Sequence, residues 1–203
     1  MSGNTKLTLA WADSRQHRRI VDLATSEGRQ TMNLRTMPQA KLAVLIRPDG
    51  HIVGWAGMDA ETHPERPEVF SQFVYPHYRG FGLGALLEHV WWAYLSAWGC
   101  KTAYMRMELD DNEPLYRHRL ASGYCRVAKA TELGERFLSA CRGCELYGDS
   151  CRSQAYLAVN VDRALVESEK RRGPLDICHL PIRLRITPPH TDRSDKLQSA
   201  VAR

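Results

Sequence analysis

Val74-Tyr75-Pro76-His77-Tyr78-Arg79-Gly80-Phe81-Gly82-Leu83-Gly84-Ala85 is the stretch on which the reading of this chain turns. Three glycines at alternate positions let a backbone come close to a ligand, and Arg79 adds a positive charge beside them. The segment before it, Glu68–Tyr75, reads as a strand. The segment after it has the strongest periodicity in the chain, with apolar residues at Leu83, Leu86, Leu87, Val90, Trp91, Tyr94, Leu95 and Trp98. That spacing describes one face of an α-helix. A strand, a glycine-rich turn and the first turn of a long helix form a cradle for an anion, because the leading helical amides and the helix dipole both favour negative charge. The bland alternative is a flexible turn that joins strand to helix.

Working outward, Leu7–Trp11 alternates as a short strand, and Asp13 or Ser14 can cap the helix that follows, with Ile20, Val21, Leu23 and Ala24 as its apolar stripe. Residues 28–40 predict a short helix or loop ending near Pro38. Lys41–Arg47 and His51–Met58 read as a hairpin closed by Pro48-Asp49-Gly50. Residues 59–67 predict a loop, Thr102–Leu109 a strand and 112–122 a helix with Pro114 near its start. Tyr124–Ala130 and Gln154–Val161 predict two more strands, and beyond Asp162 the chain has helical character to about Arg172. The order is β, α, hairpin, β, α, β, α, β, β, an α/β arrangement whose central β–α–β unit over 68–109 requires a parallel, right-handed crossover.

Three kinds of phosphate loop compete for the glycine motif. A Walker loop requires Lys-Ser/Thr after the last glycine, and Ala85-Leu86 stand there instead. A dinucleotide fingerprint matches Gly80, Gly82 and Ala85, but its ribose-binding acid belongs about 20 residues on, and Glu108 and Asp110 come later than that. The third pattern fits throughout: Val-x-Pro-x-x-Arg-Gly-x-Gly-x-Gly over 74–84 resembles the acetyl-CoA-binding motif of the GNAT superfamily of N-acetyltransferases. A second motif agrees, since Asn112-Glu113-Pro114-Leu115-Tyr116 followed by Gly123-Tyr124 resembles that family's Asn…Leu-Tyr…Gly-Phe segment, with seven residues from Tyr to Gly where four are common.

The resemblance implies a GNAT-like mixed, mostly antiparallel twisted sheet with a central β-α-β cofactor-binding unit and helices on both faces. It implies a domain over 1–162, interrupted by a cysteine-bearing insertion at 131–152 and followed by a basic, Pro-containing, partly irregular extension at 163–203. The implied activity is transfer of acetyl from acetyl-CoA to a primary amine by direct attack in a ternary complex. The implied cofactor-binding residues are Phe73, Val74, Arg79, Gly80, Phe81, Gly82, Leu83, Gly84, Ala85 and Asn112. The strand before the loop would splay from its neighbour and leave a gap for pantetheine. Gln72, where the family usually has an aliphatic residue, is expected on the substrate side.

The chemistry asks for a neutral amine, stabilisation of the carbonyl oxygen and protonation of the departing thiolate. By position, Tyr116 matches the family's general acid, the alternative being a tyrosine that merely packs on the sheet. Glu68 matches a base found in some members; it could instead be a solvated edge residue, and Glu108 and Asp110 are rivals. The Val74 amide is a candidate oxyanion donor. A non-catalytic acyl-CoA sensor or partner-docking module of the same fold is the competing reading. The acceptor itself is unreadable.

Six cysteines complete the inventory: Cys100, Cys125, Cys141, Cys144, Cys151 and Cys178. Cys125, Cys141, Cys144 and Cys151 could converge on zinc, pair as disulfides or a redox switch, or remain free thiols. His77 and His118 near the presumed cleft read as solvent-facing. Trp91-Trp92 reads as structural, with Trp92 placed for a partner surface, a homodimer included.

The chain has 203 residues with 28 Lys+Arg and 23 Asp+Glu, a net charge of +5. Residues 1–162 hold 19 basic and 18 acidic side chains and residues 163–203 hold 9 and 5, so the excess lies in the final 41 residues and suits docking on an acidic partner. That distribution argues against a nucleic-acid-binding body. At 43% hydrophobic and 25% charged the chain is an ordinary globular sequence, which excludes a disordered chain or a fibre. No run reaches the roughly 18–20 apolar residues of a membrane span, and Met1–Lys6 lacks an apolar signal core, so a cytoplasmic location is expected.

Overall fold

A computed structural model describes residues 7–27, 40–61, 64–129, 132, 153–172 and 184–186. Strand β1 (Leu7–Trp11) leads into α1 (Ser14–Ser26). The hairpin β2 (Lys41–Ile46) and β3 (Ile52–Asp59) is followed by β4 (Glu68–Val74), a 3-10 turn (Pro76–Tyr78) and α2 (Leu83–Ala97). Then come β5 (Thr102–Glu108), α3 (Leu109–Ala121), β6 (Cys125–Val127), β7 (Ser153–Asn160), α4 (Val161–Arg172) and β8 (Leu184–Ile186). The strands form one eight-stranded sheet in the order β6-β7-β5-β4-β3-β2-β1-β8. Only β4–β5 and β1–β8 run parallel; the other neighbours are antiparallel.

Local chemistry explains the elements the sequence predicted. Asp13 accepts from the Gln16 amide at 2.7 Å while Gln16 Oε1 accepts from the Asp13 amide at 2.9 Å, so α1 begins with a reciprocal capping box. The β2–β3 turn closes through Gly50 N–H donating to Arg47 O at 2.9 Å, and Asp49 takes the His51 amide at 3.1 Å.

The sheet has a layer on each face. On one side Ile20 and Ala24 of α1 pack on Leu42, Val44, Ile52, Trp55, Phe70 and Phe73. On the other side α2 is sunk against Leu9, Leu45, Val53, Met58, Val69, Met105, Leu157 and Val159. Each large apolar side chain buried there is worth about 1.5–3 kcal/mol.

Four departures from the sequence reading have physical causes. First, α2 is buried nearly all round, not on one stripe: Glu88, His89 and Trp92 are as hidden as Leu86 and Leu87. The reason is α4, which packs across the back of α2 with Val161 and Ala164 inside the same core. Trp92 is therefore no partner surface; it is fully buried and donates its Nε1–H to Glu88 at 3.3 Å. Second, α3 starts at Leu109, directly from β5, so Pro114 sits at its sixth position and the Asp110 carbonyl loses its usual helical donor. Third, the segment after 162 is helical to Arg172 as read, but its later part, read as irregular, supplies β8, which pairs Leu7↔Leu184 and Leu9↔Ile186 along the edge of the sheet. Fourth, Glu68 is no solvated edge residue, being 4% exposed inside β4. The expectations for residues 28–39 and for the insertion at 131–152, apart from Glu132, lie outside the described residues.

Candidate active site: an open helix end beside splayed strands

The parallel strands β4 and β5 pair only at their start, Glu68↔Tyr104 and Val69↔Met105, supported by Tyr104 N–H donating to Pro67 O at 2.8 Å. Beyond that point β4 stays on β3 to Val74, while β5 stays on β7 along its length. A gap therefore opens toward the C-terminal ends of β4 and β5. A bulge in β4 accompanies the divergence: the register with β3 gains a residue between Phe70 and Phe73. Within it Ser71 has φ 52°, a left-handed conformation that costs a non-glycine residue about 1–2 kcal/mol. Trp55 Nε1–H donates to Ser71 Oγ at 3.2 Å and helps hold it there.

The bulge decides what faces the gap. Tyr75 N–H donates to Val53 O at 3.0 Å, toward β3. By strand alternation the amide and carbonyl of Val74 point the other way, into the gap. The Val74 carbonyl is held by Arg79 Nε–H at 2.9 Å, and the Arg79 guanidinium lies 5.8 Å from the Phe73 ring. Phe73 itself is locked under Trp55, with ring centroids 4.6 Å apart. Gln72 does not point to a substrate side: its Nε2–H donates to the Gly84 carbonyl at 2.6 Å, latching β4 to the first turn of α2.

At the end of the gap stands the N-terminus of α2. Gly82 is its N-cap, at φ 76° and ψ 0°, and offers no side-chain cap. Leu86 N–H is the first amide to find a helical partner, Gly82 O at 2.9 Å. The amides of Leu83, Gly84 and Ala85 precede the first helical hydrogen bond and have no intrahelical acceptor. The contrast with α1, whose end is closed by its own capping box, is chemical: α2 keeps its donors and its positive dipole end for something else. No atom lies within 4 Å of where a Cβ on Gly80 or Gly82 would project, so the loop is open on that side.

On the face away from α2, Asp59, Glu68 and Tyr104 form a row across β3, β4 and β5, each the register partner of the next. Asp59 is 2% exposed, so two carboxylates are buried side by side beneath the strand that lines the gap. The sequence named Glu68 but not Asp59 or Tyr104, because the pairing that aligns them depends on register. Tyr116 lies on α3, half-buried and packed against the main core. Asn112 is the fourth residue of the same helix. His77 and His118 are exposed, as expected.

The zinc expectation fares differently. Cys125 is buried in the core on β6, and burial pushes its thiol up to about 12. Cys141, Cys144, Cys151 and Cys178 lie outside the described residues. Among the described residues no group of three or more His, Cys, Asp and Glu side chains could hold a metal ion. Among them too, no helix is long and apolar enough to cross a membrane.

Comparison with known proteins agrees with this geometry. No curated protein matches the sequence. Solved structures do match at the level of fold. An acetyltransferase of GNAT family from Staphylococcus aureus Mu50 covers 76% of this chain and 99% of its own, at 12% identity and a TM-score of 0.56. An N-acetylglutamate synthase from Neisseria gonorrhoeae, complexed with coenzyme A and N-acetyl-glutamate, covers 79% of this chain and 36% of its own, at 14% identity and a TM-score of 0.54. The spermidine/spermine N-acetyltransferase SpeG from Vibrio cholerae covers 81% and 99%, at 12% identity and a TM-score of 0.52. The sequence model described as Acetyltransferase (GNAT) family matches residues 8–120, a span holding the bulged β4, the open α2 terminus and Tyr116, and this chain belongs to that family.

Proposed function

We propose that the protein is an N-acetyltransferase that moves acetyl from acetyl-CoA to a primary amine by direct attack in a ternary complex. The observation that carries this reading is the uncapped N-terminus of α2 at the mouth of the β4–β5 gap. A diphosphate fits the free amides of 83–85 and the glycine loop 80–84, with Arg79 adding charge. A pantetheine arm of extended amides fits the gap, where Val74 presents a peptide edge that β5 no longer pairs. Phe73 and Asn112 complete the proposed cofactor contacts.

Three roles follow. The Val74 amide, turned into the gap, donates to the thioester oxygen as negative charge develops there. Glu68, directly or through water, takes the proton from the amine, whose free pKa is near 10. Tyr116 delivers a proton to the thiolate of CoA as the carbon–sulfur bond breaks. The proposed acceptor enters from the face that carries Glu68 and Asp59, two carboxylates that suit a cationic amine. The name of the Vibrio cholerae neighbour describes an amine acetyltransferase, in keeping with this acceptor class. We place the acetyltransferase domain at 1–162, with α4 and β8 of the following extension packed onto its core and sheet.

The test is acetyl transfer from acetyl-CoA to a panel of amines, with Tyr116→Phe compared in single turnover. We expect Tyr116→Phe to slow transfer by about 10²–10⁴-fold, the range of acid–base catalysis, with acetyl-CoA affinity nearly unchanged. An unaltered rate refutes the assignment of the acid, and tight acetyl-CoA binding without transfer to any amine refutes the enzyme.

A further inference from the structure

A charged cluster that the proposed chemistry does not use sits at the back of α2. Glu88 (5% exposed) faces Arg119 of α3 (2% exposed) at 2.8 Å from Oε1 to Nη1. Arg171 of α4 donates to the same carboxylate from both terminal nitrogens, at 3.1 Å to Oε1 and 3.3 Å to Oε2. Its Nη2 also donates to the Tyr124 hydroxyl at 3.1 Å, and its guanidinium lies 5.7 Å from the Tyr124 ring. Trp92 Nε1–H completes the carboxylate's partners. One carboxylate therefore ties three helices and the start of β6 together.

The arrangement is unusual in what it anchors. Of the α3 side chains described, residues 114–121, only Arg119 is buried; Leu115 is exposed, and Tyr116 and Leu120 are half-covered. Among the described side chains of this helix Arg119 is thus the one fully buried anchor, with Tyr116 and Leu120 packed partly against the core. Arg119 stands three residues after Tyr116, on the same side of the helix. An apolar contact would let such a helix roll, whereas a charge-assisted hydrogen bond at 2.8 Å fixes its rotation and height. Among the described residues the Arg119 Nε–H has no acceptor, so the side chain is placed at some cost. Glu88 in turn lies one helical turn beyond Gly84, so Tyr116 is referenced to the helix whose first turn faces the proposed diphosphate.

We infer that Arg119, Glu88 and Arg171 form a positioning device that sets Tyr116 over the cleft, and that α4, outside the 8–120 span of the family match, is thereby part of the catalytic apparatus. The inference rests on the reading of Tyr116 as the acid. None of the three side chains touches substrate; they act through the helix. Cooperative positioning by a buried network predicts non-additive kinetics with Tyr116.

The experiment is a double-mutant cycle in single-turnover acetyl transfer at saturating acetyl-CoA. Arg119→Met and Arg171→Met are each made in the wild-type and in the Tyr116→Phe background, with acetyl-CoA affinity measured by calorimetry for every variant. The expected result is a loss of about 10–100-fold for Arg119→Met and about 3–10-fold for the half-exposed Arg171→Met. Acetyl-CoA affinity should stay within about twofold, and both losses should disappear in the Tyr116→Phe background. Equal losses in the two backgrounds overturn the inference while leaving the acid in place. A Tyr116→Phe rate equal to wild type overturns the acid instead, and the positioning role with it. Should Arg119→Met not fold, the Glu88→Met/Arg119→Met pair, which leaves only the partly exposed Arg171 without its carboxylate, takes its place in the cycle. A loss confined to the Tyr116 background then supports the inference, and an equal loss in both backgrounds overturns it.

Discussion

Replacing Gly82 by alanine separates a strained turn from a ligand cradle. Gly82 adopts φ 76°, where an L-residue is disfavoured by about 1–2 kcal/mol. Alanine also stiffens the unfolded chain, which returns about 0.4–1 kcal/mol. No atom lies within 4 Å of the added methyl, so there is no clash to add. The free protein should lose about 1 kcal/mol, roughly 2–4 °C in Tm for a chain of this size. Binding should suffer more. The methyl would occupy the open side of the glycine loop, in the space proposed for the diphosphate, and losing one charged hydrogen bond there, at about 1.5–3 kcal/mol, weakens acetyl-CoA binding about 10–150-fold. Gly84→Ala is the control. Its φ is ordinary, and its Cβ would rest 3.7 Å from Gln72 Nε2, an easy contact. It should gain up to about 1 kcal/mol of helix stability and bind acetyl-CoA much as before. Urea unfolding and calorimetric titration of both variants give the four numbers. If Gly82→Ala loses the expected stability yet binds acetyl-CoA like the wild type, the loop is only a turn and the cradle is elsewhere.

Two further outcomes follow from the buried groups. Burial raises the Glu88 carboxyl, but Arg119 and Arg171 outweigh it and hold the group below its ordinary 4.5. Its contribution to stability is therefore present above pH 4.5 and is lost as the pH falls below that value, because the unfolded chain takes up the proton first. Unfolding temperatures measured from pH 7 to 3 should fall more steeply for the wild type than for Glu88→Gln, which starts less stable by about 3–5 kcal/mol because Arg119 is left buried without its partner. Parallel curves would remove Glu88 from the account. With its thiol raised to about 12 by burial, Cys125 should resist iodoacetamide at pH 8 in the native protein and react once the chain is unfolded in urea. Peptide mapping reads this directly, and labelling at the unfolded rate would contradict its burial.

Much of the candidate site could be read from residues alone, and the reasons are local. Gly80, Gly82 and Gly84 announce a backbone that must approach something closely, and the apolar spacing from Leu83 to Trp98 places that loop at the head of a helix. Asp13 and Gln16 spell their own cap, and Pro48-Asp49-Gly50 its own turn. Each of these depends on neighbours within a few residues, so composition and order suffice. Tyr116, the proposed acid, stands out for the same reason, through Asn112-Glu113-Pro114-Leu115-Tyr116.

What remained hidden depends on partners distant in the chain. Periodicity says which side of α2 is apolar; it does not say that α4 will cover the other side, and so the spacing gives no sign that Glu88, His89 and Trp92 are buried. Arg119 lies 31 residues from Glu88 and Arg171 lies 83, too far for spacing to connect them. The gap beside Val74 exists because β4 and β5 part after two residue pairs, and alternation of side chains looks the same in strands that pair and strands that diverge. The row Asp59, Glu68 and Tyr104 likewise comes from register across three strands. Residues close together in sequence determined that the chain has a glycine-led helix end, the proposed diphosphate cradle, and a sheet to carry it. Only the tertiary structure decided what that helix end faces and what stands behind it, because pairing partners and second layers are chosen by the packing of the whole chain.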